Sequence, residues 1–336
     1  MTRSVAIIGA GQIGAAVAGT FSIRDWRPKI YARTRPRWFS DEFYDFEPYV
    51  LGEGPAPKAE AVVDTIAFDV EDIERYDPGA IERLVVISSA SVYCDEEGRT
   101  LDEGPANGYP VFDGPVSEEQ ATVSPGPQTY STRKVRMERK ALDLFGDRAT
   151  ILRPCAIFGA NSRHPREWWF VKRLLDGREI IPLAFGGESR FQTTDVGDIA
   201  AFAEHAVDYG WGGVFNIATA DAPSVMEIGE RIAHILSRKV QFQRLDGPPV
   251  DHVGRTPWSV PKPFTVSNLK SREVADNSGY TLGIGREFEK SWYKAPIRAL
   301  ADLNPADWRA AFPQLAAYPW DLFDYEAEDR FFDESA

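Results

Sequence analysis

The sequence predicts an α/β protein in which a doubly wound parallel sheet is joined to a smaller C-terminal lobe. Three observations support this fold class. Short, continuous apolar runs recur along the chain, as expected of strands that are buried on both faces. Amphipathic stretches of helical length separate these runs, which is typical of parallel βαβ units. A glycine-rich turn directly follows the first run.

The composition argues against several classes of protein. Of the 336 residues, 43% are hydrophobic and 26% are charged, which is the profile of a globular protein. The formal net charge of −13 disfavours general binding to nucleic-acid backbones, because like charges repel. No apolar stretch has the length of a membrane span, and the N-terminus lacks the features of a signal peptide. We therefore expect a cytoplasmic protein with a small-molecule substrate.

The cysteines and histidines do not predict a metal site. Cys94 and Cys155 lie in different contexts and outside any C-x-x-C pair, which argues against a disulfide framework and against structural zinc. The four histidines do not cluster at ligand spacing, so no metal is expected. A homodimer is compatible with the sequence.

The first predicted element is a nucleotide-binding turn. Gly9, Gly11 and Gly14 form a G-x-G-x-x-G between the first apolar run and an alanine-rich helix. Gly9 allows a tight turn, Gly11 allows close approach of a pyrophosphate, and Gly14 allows the helix to pack on the strand. This context favours a Rossmann-type dinucleotide site over a plain glycine-rich turn, with Gln12 and Ile13 as further contacts.

The second predicted strand, "PKIYARTRP", bears on the choice of cofactor. Sites that prefer NAD usually place an acidic residue there to bind the ribose hydroxyls, whereas this sequence has Arg33 and Arg35. Guanidinium groups suit a 2′-phosphate, which favours NADP over NAD. The alternative is that both arginines are merely solvated.

The later elements complete the predicted sheet. The segment 94–127 is rich in glycine, proline and acid, and we expect a long ordered loop beside the site. The aromatic, acidic C-terminus should pack on the body or on a partner. Strands are predicted at 61–68, 83–89, 148–154 and 212–218, and helices at 129–145, 166–176, 197–209 and 225–237. The predicted domains are 1–155 with 190–220 returning to it, and a substrate-binding lobe formed by 156–189 and 221–336.

The stretch "YSTRK" places Tyr130 and Lys134 one helical turn apart, where they would share a face. This spacing alone has little specificity. It stands, however, between "VVISSASVY" and "ILRPCAIFGA", downstream of the glycine-rich turn. That order of motifs resembles the extended short-chain dehydrogenase/reductase family, the NAD(P)-dependent epimerases and dehydratases, over roughly residues 1–220.

The resemblance implies catalytic roles for three residues. Tyr130 matches the general acid/base, Lys134 the lysine that binds the nicotinamide ribose and lowers the tyrosine pKa, and Ser89 the hydroxyl that orients the substrate oxygen. A cation near a phenol favours the phenolate, which would let Tyr130 exchange a proton with an alcohol or alkoxide.

The predicted binding residues extend beyond this triad. "NSRHPREWW" carries basic and aromatic side chains that would suit an anionic or ring-shaped substrate, although an amphipathic helix explains them equally well. The predicted cofactor contacts are Gly9, Gly11, Gln12, Ile13, Gly14, Arg33, Arg35, Ala67, Ser88, Tyr130, Lys134, Pro154 and Ala156. The predicted substrate contacts are Ser91, Arg163, His164 and Trp168.

Several departures from the family bear on the reaction. The family usually carries G-x-x-G-x-x-G, and the span from Gly14 to Ser89 is short enough that one strand–helix unit is reduced or missing. Ala90 and Ser91 stand where the dehydratases carry Asp-Glu, which disfavours dehydration. The sequence therefore favours an NADP-dependent oxidoreductase acting on a carbonyl or alcohol. The alternatives are a nucleotide-sugar epimerase with tightly bound NAD and a non-catalytic nucleotide sensor or scaffold.

Overall fold

The structure, a computed structural model, describes residues 3–277 and 293–335. Contacts between Cα atoms divide these residues into two units. The first unit comprises residues 3–161, 193–220 and 266–277, and the second comprises 162–192, 221–265 and 293–335. None of the helices in the described residues combines the length and apolar character that crossing a membrane requires.

The first unit is built on a parallel sheet that has seven strands among the described residues. The strands are β1 (Arg3–Ile8), β2 (Trp26–Ala32), β3 (Asp45–Pro48), β4 (Ala61–Asp64), β5 (Arg83–Ile87), β6 (Ala149–Pro154) and β10 (Gly213–Ile217). They lie in the order β10-β6-β5-β4-β1-β2-β3.

Helices cover both faces of this sheet. The described helices of the unit are α1 (Gln12–Ser22), α2 (Val70–Glu74), α3 (Gly104–Asn107), α4 (Tyr130–Phe145), α6 (Val196–Tyr209) and α8 (Leu269–Asn277). Helices α1 and α6 cover one face, and α2 and α4 cover the other. The predicted doubly wound Rossmann-type fold is thereby confirmed.

A loop replaces the helix that would join β2 to β3. Residues 33–44 form turns and bends, and Trp38, Phe39 and Tyr44 from this loop pack on the core under α1. The Trp38 Nε1 donates to the Ala10 carbonyl in the glycine-rich turn at 3.2 Å. The unit that the sequence predicted to be reduced or missing is therefore this one, and its loop is fastened to the nucleotide turn.

Two predicted boundaries need correction. The strand predicted at 61–68 ends at Asp64, because the Asp64 carboxylate accepts the next backbone N–H groups and turns the chain. Residues 266–277, predicted in the lobe, group with the first unit. Val266 pairs with Val116, and Asn268 donates to the Ala218 carbonyl at 3.0 Å.

Two short parallel sheets complete the chain. In the first unit, β7 (Ala156–Phe158) pairs with β9 (Thr193–Asp195), and in the second, β8 (Ile180–Leu183) pairs with β11 (Gln241–Arg244). The helices of the second unit are α5 (Trp168–Leu175), α7 (Val225–Ile235), α9 (Lys294–Leu303), α10 (Trp308–Ala311) and α11 (Tyr325–Ser335).

The C-terminal segment packs within the second unit. The buried Arg173 of α5 pairs with Glu328 of α11 at 2.5 Å and donates to the Leu322 carbonyl at 2.9 Å. Its guanidinium also lies 3.5 Å from the centre of the Trp169 ring. The aromatic, acidic tail is thus held by a buried cation, in agreement with the expectation that it packs on the body.

Candidate functional site

The predicted cofactor residues lie along one edge of the main sheet. Because all its strands are parallel, the loops after β1, β2, β4, β5 and β6 emerge at the same edge. In open parallel sheets this carboxyl edge is where ligands bind.

The glycine-rich turn has the geometry of an anion cradle. Gly9 has a φ of +100°, and a Cβ on Gly14 would lie 2.1 Å from the Gly9 carbonyl oxygen. A Cβ on Gly11 would meet nothing within 4 Å, so open space lies in front of this residue. The Nε2 of Gln12, which begins α1, is buried and has no hydrogen-bond partner in the described part of the chain. Ile13, the next residue, is half-buried against the core.

The two arginines after β2 have different environments. The Arg35 Nη1 donates to both oxygens of Asp41 at 3.0 Å, and its guanidinium lies 4.7 Å from the centre of the Phe39 ring. Arg33 is exposed and makes no ion pair or hydrogen bond with the described residues, and Arg37, which the sequence analysis did not single out, shares this property. Arg33 and Arg37 are therefore available to an anion, whereas Arg35 is already paired.

The serines after β5 form a small hydroxyl cluster. Ser89 caps a short 3₁₀ turn by accepting from the Ser91 backbone N–H, and their two Oγ atoms are 2.7 Å apart. The Oγ of Ser88 is buried and lacks a hydrogen-bond partner within the described residues. These hydroxyls provide donors for a substrate oxygen or a cofactor.

Helix α4 presents Tyr130 and Lys134 to this cluster. Thr129 and Thr132 form a reciprocal capping box that starts the helix at Tyr130. The Lys134 Nζ lies 6.0 Å from the centre of the Tyr130 ring, and Phe68 packs on that ring at 5.3 Å.

The pKa of Tyr130 is raised to about 12, in contrast to the lowering that the family resemblance implies. Desolvation of its hydroxyl is the main cause and the charge of Asp102 adds to it, while a hydrogen bond with the Ser89 side chain acts in the opposite direction. Asp102 belongs to the acidic segment 94–127, which therefore lies beside the tyrosine as expected. The raised pKa favours the protonated form of this phenol, whose residue is 40% exposed.

Lys134 is 7% exposed and bridges two neighbouring strand ends. Its Nζ donates to the Ala67 carbonyl at 2.7 Å and to the Ile87 carbonyl at 3.0 Å. Burial lowers its pKa to about 8, against the opposing effect of nearby carboxylates, first among them Asp64. An ammonium has three N–H donors, so one remains for a ligand.

A buried ion pair behind α4 was missed by the sequence analysis. Arg153 of β6 donates through Nε and Nη2 to the two oxygens of Glu138, at 2.9 and 2.5 Å. Tyr130, Lys134 and Glu138 follow each other at intervals of four, so they share one face of the helix. This spacing was the available signal, and the pair fixes α4 against the sheet.

The other predicted cofactor residues lie at the same edge. Ala67 is buried and supplies its carbonyl to Lys134. Pro154 ends β6 and Ala156 begins β7, and both are buried. Between them, the backbone N–H of Cys155 donates to Thr194 Oγ1 at 2.9 Å. Whether these residues touch a nicotinamide stays a prediction.

Three predicted substrate residues belong to the second unit. Arg163 is exposed, and the His164 Nε2 lies 3.2 Å from the Tyr318 hydroxyl. Burial, with a smaller effect of Arg166, lowers the pKa of His164 to about 3, so this histidine is neutral. Trp168 is 1% exposed and packs on Phe312. A buried tryptophan and a neutral histidine favour the amphipathic-helix alternative for this stretch, and a substrate role for it stays a prediction.

The first unit's edge fits a dinucleotide. Beside the open space at Gly11, the amide of Gln12 and the hydroxyl of Ser88 have no hydrogen-bond partner among the described residues and are available to a ligand. The Lys134 Nζ keeps one donor on the same edge.

Comparison with known proteins shows which solved structures share this fold. No protein-family model matches the chain, and no curated protein matches its sequence. Among solved structures it is similar to the dTDP-glucose 4,6-dehydratase from Bacillus anthracis str. Ames in complex with NAD (TM-score 0.65, 15% identity, covering 92% of this chain and 99% of that one). It is also similar to the UDP-N-acetylglucosamine 4-epimerase from Bacillus cereus (TM-score 0.64, 16% identity, covering 89% and 99%).

A further similar structure is the UDP-glucose 4-epimerase from Thermotoga maritima with UDP-glucose (TM-score 0.64, 15% identity, covering 90% and 100%). These proteins are extended short-chain dehydrogenase/reductases. The resemblance that the sequence predicted is therefore confirmed at the level of the fold.

Proposed function

We propose that this protein is a nicotinamide-dependent oxidoreductase that interconverts a carbonyl and an alcohol, with Tyr130 as the general acid/base. One observation carries the proposal. Ser89, Tyr130 and Lys134 come together at the carboxyl edge of the sheet, beside a glycine cradle with open space. A bound nicotinamide supplies or accepts the hydride.

Side chains of the protein would bind the substrate oxygen and exchange a proton with it. A tyrosine is protonated at neutral pH and can give its proton to a nascent alkoxide in the reducing direction. Ser89 donates a hydrogen bond to the same oxygen, and the remaining N–H of Lys134 binds the ribose of the nicotinamide. In the oxidising direction, the positive charge of an oxidised nicotinamide would favour the phenolate that the reaction needs.

We further propose NADP as the preferred cofactor. Arg33 follows β2 directly, at the place where NAD sites carry an acid, and no described residue neutralises it. Arg37 offers a second guanidinium from the same loop. A 2′-phosphate accepts hydrogen bonds from such groups in a bidentate manner.

The second candidate function is a nucleotide-sugar epimerase with tightly bound NAD. The similar solved structures favour it, because they include epimerases and an NAD complex. Such an enzyme would use the same Tyr130 without net change of its nucleotide. Dehydration fits less well, since Ala90 and Ser91 stand where the family's dehydratases carry an acid pair.

The first experiment identifies the nucleotide. The purified protein is denatured and any released nucleotide is analysed, and the stripped protein is then titrated with NADPH and NADH by fluorescence. Tight binding of NADPH together with weak binding of NADH supports the reductase. A retained, stoichiometric NAD supports the epimerase, and no affinity for either nucleotide contradicts both.

The second experiment asks whether the protein catalyses a reaction. Turnover is measured against a panel of aldehydes, ketones and nucleotide sugars, and the Tyr130→Phe variant is expected to lose about 10²- to 10⁴-fold in kcat. Its affinity for the cofactor should fall far less than its kcat. Tyr109→Phe, a tyrosine of the segment 94–127, serves as the control. Nucleotide binding with no turnover that depends on Tyr130 would indicate the sensor or scaffold instead.

A further inference from the structure

Asp64 is a fully buried carboxylate whose contacts are all with neutral groups among the described residues. It ends β4 with 0% of its surface exposed. Its Oδ1 accepts the backbone N–H groups of Ile66 and Ala67 at 2.9 and 2.8 Å, and its Oδ2 accepts the Tyr76 hydroxyl at 2.6 Å. Burial raises the pKa of this carboxyl, while the hydrogen bonds from Tyr76, Ile66 and Ala67 act in the opposite direction.

The turn that Asp64 organises connects the nucleotide cradle to the catalytic lysine. At one end, Thr65 donates through its backbone and its hydroxyl to the Ile8 carbonyl, at 3.0 and 2.8 Å, next to the glycine-rich turn. At the other end, the Ala67 carbonyl accepts from the Lys134 Nζ. Ala67 therefore accepts a hydrogen bond from Lys134 through its carbonyl and donates one to Asp64 through its N–H.

The other carboxylates that face Lys134 have their own partners. Asp69, beside α2, pairs with Arg133, and Glu138 of α4 pairs with Arg153. Asp72 of α2 is only half-buried and accepts the backbone N–H groups of residues 68 and 69, at 2.8 and 3.0 Å. Asp64 is thus the buried carboxylate on this side without a cation of its own, and it ranks first among the groups that favour the charged form of Lys134.

From this arrangement we infer that Asp64 is a positioning residue for the proposed reaction, which seats Lys134 by shaping the 64–67 turn and supplies its counter-charge. Asp64 does not touch the reacting atoms and acts through Lys134. The inference rests on the proposed function for its catalytic meaning. Its electrostatic part, however, is a property of the protein alone and can be measured without a substrate.

The experiment is an NMR titration of the Lys134 Cε in protein labelled with ¹³C-lysine, assigned by loss of the signal in Lys134→Arg. The wild type should titrate near pH 8. Asp64→Asn keeps an oxygen that can accept both N–H groups but removes the charge, so the Lys134 pKa should fall by about one unit or more. Asp72→Asn, which removes a more exposed carboxylate, is the matched control and should cause a clearly smaller fall. An Asp64→Asn shift no larger than that of the control overturns the inference.

A second measurement covers the case in which Asp64→Asn does not fold. In the wild type, protonation of Asp64 should appear at acidic pH as a smaller inflection of the same Lys134 signal. Tyr76→Phe removes a donor that stabilises the carboxylate, so this inflection should move to higher pH. A Lys134 signal without the inflection, or one that Tyr76→Phe leaves in place, contradicts the coupling.

A measurement of NADPH binding distinguishes failure of this inference from failure of the proposed function. Because a lower pKa leaves Lys134 largely uncharged at pH 8, Asp64→Asn should bind NADPH about tenfold more weakly than the wild type at that pH. If the wild type binds no nicotinamide nucleotide, the proposed function fails while the NMR result still decides the coupling. If the wild type binds and Asp64→Asn binds equally well, the positioning role is wrong although the function stands.

Discussion

Two buried cations of the first unit, Arg153 and Lys134, are neutralised in different ways. Arg153 meets both oxygens of Glu138 directly, and each partner is less than a tenth exposed. Lys134 lies one helical turn from Glu138 but donates to two backbone carbonyls. One of these carbonyls belongs to Ala67, whose N–H donates to Asp64.

The difference distinguishes a charge that is paired within the protein from a charge that keeps an unused hydrogen-bond donor. The Arg153–Glu138 pair has its strongest bonds made within the protein, so a ligand has little to add to it. Burial lowers the pKa of Lys134, and its third N–H donor leaves capacity for a ligand. The same contrast recurs in the arginines after β2, where Arg35 is paired with Asp41 and Arg33 is not.

The largest expected effect comes from breaking the complete pair. Arg153→Met leaves Glu138 as a buried charge without a partner, so the free energy of unfolding should fall by about 3–5 kcal/mol. Urea denaturation at pH 7 measures this change. The double variant Glu138→Met, Arg153→Met should recover most of the loss, because it removes the stranded charge. A single variant as stable as the wild type would mean that the pair does not fix α4.

Lys134→Met should behave differently and depend on pH. The Lys134 pKa is about 8 in the folded protein and near the ordinary lysine value when unfolded, so between these values the unfolded chain binds more protons. Stability of the wild type relative to Lys134→Met should therefore rise between about pH 8 and pH 10.5, by at most about 3 kcal/mol. Urea midpoints of the two proteins across this range test the sign. Parallel pH curves would show that Lys134 titrates normally.

The sequence predicted what depends on local pattern. Apolar runs identified the long buried strands, the glycine spacing located the cradle, and the four-residue spacing placed Tyr130 and Lys134 on one helix face. The residues that form each of these signals lie within a few positions of each other, so the sequence alone reveals them. The capping box of Thr129 and Thr132 explains why α4 begins at Tyr130.

What depends on pairing across the fold was not predicted. Strand β3 is short and mostly exposed at the sheet edge, so it has no apolar run. The Arg153–Glu138 pair requires knowing that α4 packs behind β6, and the role of Asp64 requires the hydrogen bonds of its turn. The raised pKa of Tyr130 follows from desolvation of its hydroxyl and from the charge of Asp102, which a sequence spacing cannot supply.

The glycines of α1 and of the turn before it allow a comparison between a closely packed position and an open one. Gly14→Ala places a Cβ 2.1 Å from the Gly9 oxygen, so it should cost about 1–3 kcal/mol of stability and weaken nucleotide binding. The new methyl group of Gly11→Ala meets no atom of the described residues within 4 Å, so stability should be nearly unchanged, whereas binding should weaken because the methyl group fills the cradle. Gly19→Ala, also open but farther along α1, is the control and should not change the Kd. Equal Kd values for Gly11→Ala and Gly19→Ala would place the nucleotide elsewhere.

The smallest expected effect compares the two arginines after β2. Arg33→Ala should weaken NADPH about tenfold, or about 1.4 kcal/mol, and change NADH little, because only the 2′-phosphate needs the guanidinium. Arg35→Ala should change the ratio of the two Kd values less, since Asp41 and the Phe39 ring already hold that side chain. Fluorescence titrations of both variants with both nucleotides measure the ratios. Equal weakening of NADPH and NADH by Arg33→Ala would remove the basis for NADP and favour the epimerase with bound NAD.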